Sequence, residues 1–428
     1  MQKTLGQKIK HLRRSKNLTQ GELGHGLVTP SMISQIEADK ASPSLKLLAE
    51  LADRLGVSLD YFLNEIQAKT EVNGTLKSAR ALMEAGKFES ALKLLLELLN
   101  DQTVHCPSTE IRLDVAQCLE KTGKTEEALA LYDEIHRNCI SRGEYLYCVK
   151  ALRAMGQIEF EKGNLILADF HWNKAAALGL RELGGENDLL SDVLLLLARS
   201  QNRLGSHADA LETLKQAKSI LQDQSDAKKT AVLMQTYCEV HRDLGLYKKA
   251  EEYAQDAISL YKSLNMPVEA VYMTATLAQI LDENGRSEEA LNLLRNCFEQ
   301  SDSDVMENIS YLHSVIARIF MRLGMFDEAQ SHCEKVLVLG DNDHDARIRA
   351  YRTLSEISFK REQYSQAIYY CEQLIQMGQL QNRIAELARS FALLSGIYKQ
   401  QGNYASATET FLRMQKVVET NLREITVS

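Results

Sequence analysis

The chain has 428 residues, 45% hydrophobic and 25% charged, too long for one ordinary domain and apolar enough to build a sizeable core. No apolar run approaches the roughly 20 residues that span a bilayer, and the opening MQKTLGQKIKHLRR lacks the apolar stretch of a secretion signal, so a cytoplasmic location is expected. Residues 1–66 carry nine Lys/Arg against seven Asp/Glu, whereas residues 67–428 carry 41 against 51, so if nucleic acid is bound, the head is expected to bind it and the acidic body to repel it.

In chain order, the head shows apolar residues at helical spacing, from Ile9 and Leu12 to Phe62 and Leu63, broken by turn signals. Five short helices are predicted, at 4–16, 19–27, 30–38, 44–55 and 59–64. Thr19 and Thr29 can each cap a helix start through the side-chain oxygen, and Pro30 suits the first helical position, where its missing N–H costs nothing. The motifs TQxEL (Thr19 to Leu23), ISxxE (Ile33 to Glu37), SPS (Ser42 to Ser44) and GVSLDYF (Gly56 to Phe62) resemble the helix-turn-helix of the Xre/Cro repressors. That resemblance implies a second helix lying in the major groove of DNA. By position, Pro30, Ser31, Ser34 and Gln35 would face base edges, with Gln35 able to pair bidentately with adenine. Gln20 and Lys40, and with them Lys10 or Arg14, would meet phosphates. The stretch 65–72 has neither Gly nor Pro and is expected to be a helical linker between a head at 1–64 and a body at 73–420, with a tail at 421–428.

One pattern fills the body: AGKFESAL, TGKTEEAL, KGNLILAD, LGSHADAL, LGLYKKAE, NGRSEEAL, LGMFDEAQ, REQYSQAI and QGNYASAT. Its alanines fall at 91, 128, 168, 210, 250, 290, 329, 367 and 407, a period of 37 to 42 residues, and a small residue stands twelve positions before each. Antiparallel helix pairs explain both features: glycine ends the first helix, and small side chains let the axes approach. The pattern resembles the tetratricopeptide repeat, with a period about six residues longer than its usual 34. The eighth copy has Glu362 where the others have glycine, so its turn is expected to be strained or reshaped. The expected fold is therefore all-α, a five-helix head followed by a right-handed superhelix of nine repeats.

In such a superhelix the first helices line a groove, at positions 13, 10, 6, 3 and 2 before each turn glycine. Those positions are polar in the middle repeats: Lys150, Arg153 and Gln157; Arg199, Asn202 and Arg203; Gln235, Glu239 and Arg242; Gln279 and Asp282; Arg318; Arg349 and Arg352. Amides can pair with an extended backbone and arginines fork onto carboxylates, so a short peptide is the expected ligand. Asn202 is expected to pair with the ligand backbone. Since Arg199, Arg242 and Arg318 outnumber Glu239 and Asp282, the ligand is expected to carry a side-chain or terminal carboxylate.

No catalytic constellation, cofactor motif or metal spacing stands out, and the chain is expected not to be an enzyme. The eight cysteines include no CxxC pair and are expected to be small buried hydrophobes, with Trp172 in the core. The DNDHD at 341–345 imitates a calcium loop but has Ala346 at the sixth position and Arg352 where the closing glutamate belongs. An Xre-type head followed by tetratricopeptide repeats resembles the RRNPP peptide-responsive quorum-sensing regulators of Gram-positive bacteria. The resemblance implies a transcription factor switched by a short signalling peptide. It also implies a palindromic double-stranded operator and a homodimer or higher homo-oligomer. As an alternative, it implies sequestration of a phosphorelay response regulator in the peptide-free state.

Overall fold

The computed structural model describes residues 4–100, 108–184, 188–224, 226–299, 309–339, 344–380 and 384–427. Twenty-two helices and no strand occur among the described residues. The head contributes α1 (Leu5–Ser15), α2 (Gln20–Gly24), α3 (Pro30–Glu37) and α4 (Leu45–Leu55). The paired helices that follow are α5 (Asp60–Glu84) with α6 (Phe88–Asn100), α7 (Ser108–Lys121) with α8 (Thr125–Arg142), α9 (Tyr145–Glu161) with α10 (Leu165–Glu182), and α11 (Asp188–Arg203) with α12 (His207–Gln224). Beyond them come α13 (Ala227–Asp243) with α14 (Tyr247–Ser263), α15 (Pro267–Glu283) with α16 (Ser287–Glu299), α17 (Ile309–Arg322) with α18 (Phe326–Val338), α19 (His344–Lys360) with α20 (Tyr364–Leu380), and α21 (Ile384–Gln400) with α22 (Tyr404–Val427). Two compact units result, residues 1–131 and 132–428.

Within the first unit, Ile9, Leu23, Ile33, Ile36, Leu48, Leu51, Leu55 and Phe62 form the closed core of the head. Gly6 lets α1 lie against α3, since a Cβ there would sit 2.3 Å from the Ile36 carbonyl oxygen. Two boundaries differ from those expected. The second helix ends at Gly24 rather than at 27, because the Gly24 carbonyl accepts from the amides of Leu27 and Val28 and Gly26 turns the chain at φ 72°. The fifth helix does not stop at 64; α5 carries the expected linker without a break into the first repeat. At the other end α22 likewise runs through 421 to Val427.

The helices of all nine expected pairs are present, and eight of the pairs are in contact among the described residues. The small residues of the pattern meet at their crossings: Ala79, Ala91, Ala116, Ala128, Ala198, Ala210, Ala278 and Ala290 are fully buried. In the last two repeats a serine replaces the first alanine, and Ser355 and Ser395 donate to the carbonyls of Ala367 and Ala407 at 3.2 and 2.8 Å. Eight turns place glycine in the left-handed region, as at Gly163 (φ 84°) and Gly402 (φ 81°), and Glu362 occupies the same region at φ 59°. The eighth turn is thus strained, not reshaped, because the neighbouring repeats dictate the helix crossing. A side chain there costs about 1–2 kcal/mol, offset in part by the greater entropy glycine has when unfolded. Glu362→Gly should accordingly stabilise the repeats by about 0.5–1 kcal/mol, measured by urea unfolding; a loss of stability would show that the Glu362 side chain makes a compensating contact.

Of the cysteines, Cys118, Cys139, Cys148, Cys238, Cys333 and Cys371 are buried and Cys297 is half-buried, while Cys106 lies outside the described residues. Trp172 is fully buried, as expected. Residues 341–343 of the calcium-like DNDHD lie outside the described residues, and its last two residues begin α19. Among the described residues no helix is long and apolar enough to cross a membrane.

Candidate functional site

In the head, sequence fixes where the reading helix begins. Thr19 caps α2 with a reciprocal box: its hydroxyl accepts from the Glu22 amide at 3.1 Å, and the Glu22 carboxylate accepts from the Thr19 amide at 2.6 Å. Thr29 caps α3, accepting from the Met32 amide at 3.3 Å, with Pro30 in the first turn. Ile33 and Ile36 turn into the core, which leaves Pro30, Ser31, Met32, Ser34 and Gln35 exposed along one side of α3, with Lys40 exposed just beyond.

Behind that face lies a buried ion pair that residue spacing did not reveal. The Arg13 guanidinium donates to Glu37 through Nε at 2.5 Å and Nη2 at 3.0 Å, and through Nη1 to the Leu18 carbonyl at 2.7 Å. Gln20 adds an amide donor to Glu37 at 2.9 Å. Burial alone would raise the pKa of Glu37, but Arg13, Gln20 and Lys10 together hold it below the ordinary carboxylate range. The pair ties α1 to the end of α3, so it fixes the angle at which α3 is presented. Gln20, expected to meet phosphate, is therefore half-buried and committed at one amide hydrogen to Glu37.

Within the second unit, α9, α11 and α13 touch in succession, as do α15, α17 and α19, so the first helices of the repeats form two runs of neighbouring helices. Two stacks dominate them. The Arg203 guanidinium lies 4.5 Å from the centre of the Phe160 ring, and Phe160 packs at 5.4 Å against the buried Trp172. Three repeats on, Tyr272 stacks on Tyr311 at 5.0 Å and 20°, and Arg349 lies 4.6 Å from the centre of the Tyr311 ring. Gln279 donates to the Tyr311 hydroxyl at 3.3 Å, and the Arg349 Nε to Ser314 at 3.1 Å. Between the stacks, Tyr261 donates to Gln235 at 2.9 Å and Gln235 to Glu239 at 3.1 Å. Burial, with Glu269 and Glu239, pushes Tyr261 up to about 12, which keeps it a neutral donor.

The face is cationic at its centre. Desolvation, reinforced by Arg199, lowers the pKa of Arg203 against the pull of Glu239, Tyr272 and Asp345. Arg199, Arg203 and Arg318 make no ion pair with any described residue, and among the described residues the Arg349 guanidinium donates to Ser314 alone. Arg242 differs, because Asp243 pairs with it at 3.0 Å and holds it charged despite burial.

A helix-turn-helix family model matches residues 9–62, and tetratricopeptide-repeat models match residues 76–141, 192–220 and 312–346. The SPbeta prophage-derived uncharacterized HTH-type transcriptional regulator YonR of Bacillus subtilis (strain 168) is 32% identical over 103 residues, 23% of this chain and 94% of that protein. The chain belongs to the helix-turn-helix transcriptional regulators. Its repeats extend the likeness at the level of fold. A Rap protein crystallised with Competence and Sporulation Factor is 14% identical with a TM-score of 0.53, covering 82% of this chain and 99% of that one. The apo form of RapI is 12% identical with a TM-score of 0.53, covering 82% and 98%. Head and repeats together join a helix-turn-helix to tetratricopeptide repeats in one chain.

The structure brings Arg199, Gln235, Glu239 and Gln279 of the regulator onto the inner helices, all half-buried, and leaves Arg318 exposed. Gln157 donates to Glu161 at 2.7 Å. The Arg153 carbonyl accepts from the Trp172 indole at 3.0 Å, while its Nε is buried without a partner among the described residues. Asn202 and Asp282 sit differently from free groove groups, because each braces two repeats. The Asn202 amide donates to Asp243 at 2.8 Å and its carbonyl faces His207 at 2.8 Å. Asp282 accepts from Arg322 at 2.9 Å and from Ser287 at 2.6 Å. A ligand contact at either requires one of these bonds to open. Phe160, Tyr272 and Tyr311 were not among the expected groove residues, although they stand 3, 13 and 13 positions before the turn glycines Gly163, Gly285 and Gly324. That register was the available signal.

Proposed function

We propose that the regulator binds operator DNA through α3 and is switched by a short peptide held on the inner face of its repeats, in the cytoplasm. The DNA-binding head corresponds to residues 1–64 and the sensor to residues 73–420. One observation carries the reading: a rigidly presented, exposed α3 face is joined in one chain to an inner face on which Arg199, Arg203, Arg318 and Arg349 lack carboxylate partners among the described residues. A chain of net charge −8 that leaves arginines unpaired in one place is built to receive an anion there. The amides of Gln235 and Gln279 beside them suit a peptide backbone. That a Rap protein of the same fold is crystallised with Competence and Sporulation Factor agrees with a ligand-bearing role for such repeats.

A head of this size buries too little on DNA for tight specific binding, so two heads act together on half-sites about 34 Å apart, or a multiple of that. The ligand need only change whether both can engage, and a coupling of about 1–3 kcal/mol alters affinity roughly 5- to 150-fold. Footprinting with and without a pool of short peptides from the same genome tests the proposal; protection of no palindrome under either condition would end it. With an operator in hand, Gln35→Ala should cost about 1–3 kcal/mol and relax preference at one base pair. Lys40→Ala should instead weaken all sequences alike and reduce the salt slope by about 0.9. Equal behaviour of the two variants in a salt titration would remove Gln35 from the base-reading set.

A further inference from the structure

From the two cation-on-ring stacks of the inner face we infer that the regulator selects a peptide bearing two carboxylates, one received by Arg203 and the other by Arg349. The inference rests on the inner face being the peptide site, and deepens it by assigning the ligand's chemistry. Both stacks share a plan in which one repeat supplies a ring and the next supplies an arginine that lies over it: Phe160 from α9 under Arg203 from α11, and Tyr311 from α17 under Arg349 from α19. A guanidinium over a ring keeps its edge, with its N–H donors, directed away from the ring, in the planar fork that matches a carboxylate. The rings are themselves fixed, Phe160 by Trp172 and Tyr311 by Tyr272 and Gln279. The rotamer entropy an arginine ordinarily loses on binding has thus been spent in folding, which makes each fork a preorganised receptor. Phe160 and Tyr311 are positioning residues, since they act through the arginines.

Carboxylates fit better than phosphates. Glu239 stands among the arginines, and Glu239 and Asp345 both act on Arg203, so a multiply charged phosphate group would meet two acids where a singly charged carboxylate meets less repulsion. Arg203 and Arg349 stand on different helices, α11 and α19, and each has its own supporting ring, so each receives a separate acid. Arg199, unpaired and beside Arg203, adds charge at the first fork.

The probes are four libraries of otherwise random heptapeptides without further acids, amidated at the C-terminus. Their second and sixth positions hold Asn and Asn, Asp and Asn, Asn and Asp, or Asp and Asp. Retention on the full-length protein is measured by affinity selection and then by anisotropy of recovered peptides. The doubly acidic library should be retained best, with a gain of about tenfold or more per carboxylate. Arg203→Lys, which keeps the charge but loses the flat fork, should abolish the preference for one of the two acids, and Arg349→Lys the preference for the other. Phe160→Leu and Tyr311→Leu should weaken the same two preferences in turn, with helix content and melting followed by circular dichroism to confirm folding. Retention of all four libraries alike, or acid preferences that survive both lysine variants, would overturn the two-fork assignment while leaving a peptide site standing. Retention of none, or displacement of every retained peptide by ADP, would overturn the peptide site as well.

Discussion

Replacing Glu37 with Ala should unfold the DNA-reading head while the repeats of residues 132–428 keep their own transition. The substitution leaves the Arg13 guanidinium buried, with a side chain only 11% exposed, and without its carboxylate. Breaking a buried pair by removing one partner costs about 3–5 kcal/mol, because the remaining charge is uncompensated. A head of about 60 residues has only about 3–9 kcal/mol of stability in all, so the loss is comparable with the whole. Calorimetry should show the head transition lost or shifted far down, and operator binding should go with it. The double variant Arg13→Met with Glu37→Leu should recover most of the stability, since apolar residues of similar volume commonly replace such a pair at little cost. If the double variant is no better than Glu37→Ala alone, the pair is not acting through its buried charge. Acid should imitate the single substitution. The pKa of Glu37 is depressed in the folded head, so the stability it contributes is present above the ordinary carboxylate range and is lost as pH falls through the lowered value.

This pair also marks what could be read from sequence and what could not. The turn glycines and crossing alanines recur at fixed spacing because each repeat solves the same packing problem, so nine pairs were legible from two columns of residues. The groove register was legible for the same reason, since 3.6 residues per turn decides which positions share a face. What a side chain does once on that face depends on partners that sequence distance hides. Asn202 meets Asp243 across 41 residues, Asp282 meets Arg322 across 40, and Arg13 meets Glu37 across 24. Each turns an expected surface group into a brace. The rings were not among the expected groove residues because Phe and Tyr at helical spacing read as core; that holds for Tyr311, 8% exposed, whereas Tyr272, stacked on it, is 40% exposed. The early end of α2 follows from the turn bonds onto Gly24, which no helix propensity predicts.

Changing Gly156 to Ala should destabilise the second unit and loosen its proposed ligand site in one step, although alanine is the better helix former. A Cβ at Gly156 would lie 2.4 Å from Nε1 of Trp172, 2.6 Å from Cδ1 and 2.8 Å from Cε2. The indole cannot yield cheaply, because it is flat, fully buried and bonded through Nε1 to the Arg153 carbonyl at 3.0 Å. Overpacking of this kind costs about 1–3 kcal/mol, and loss of the indole bond about 1 more. The gain in helix propensity is only about 0.5–1 kcal/mol, so the net effect is a loss of about 1–3 kcal/mol. Gly396 in α21 supplies the control: nothing lies within 4 Å of a Cβ there, and Gly396→Ala should stabilise by the propensity gain alone, about 0.5–1 kcal/mol. Urea unfolding of the two variants should therefore move in opposite directions, and a stabilised Gly156→Ala would mean that α9 and α10 separate more easily than their contacts imply. The same substitution reaches the site through a short chain of contacts. Trp172 supports Phe160, and Phe160 carries Arg203, so an indole pushed aside tilts the ring and frees the guanidinium from its fixed plane. Affinity for an acidic peptide should fall by more than the affinity for its amide counterpart, whereas simple loss of folded protein would lower both alike.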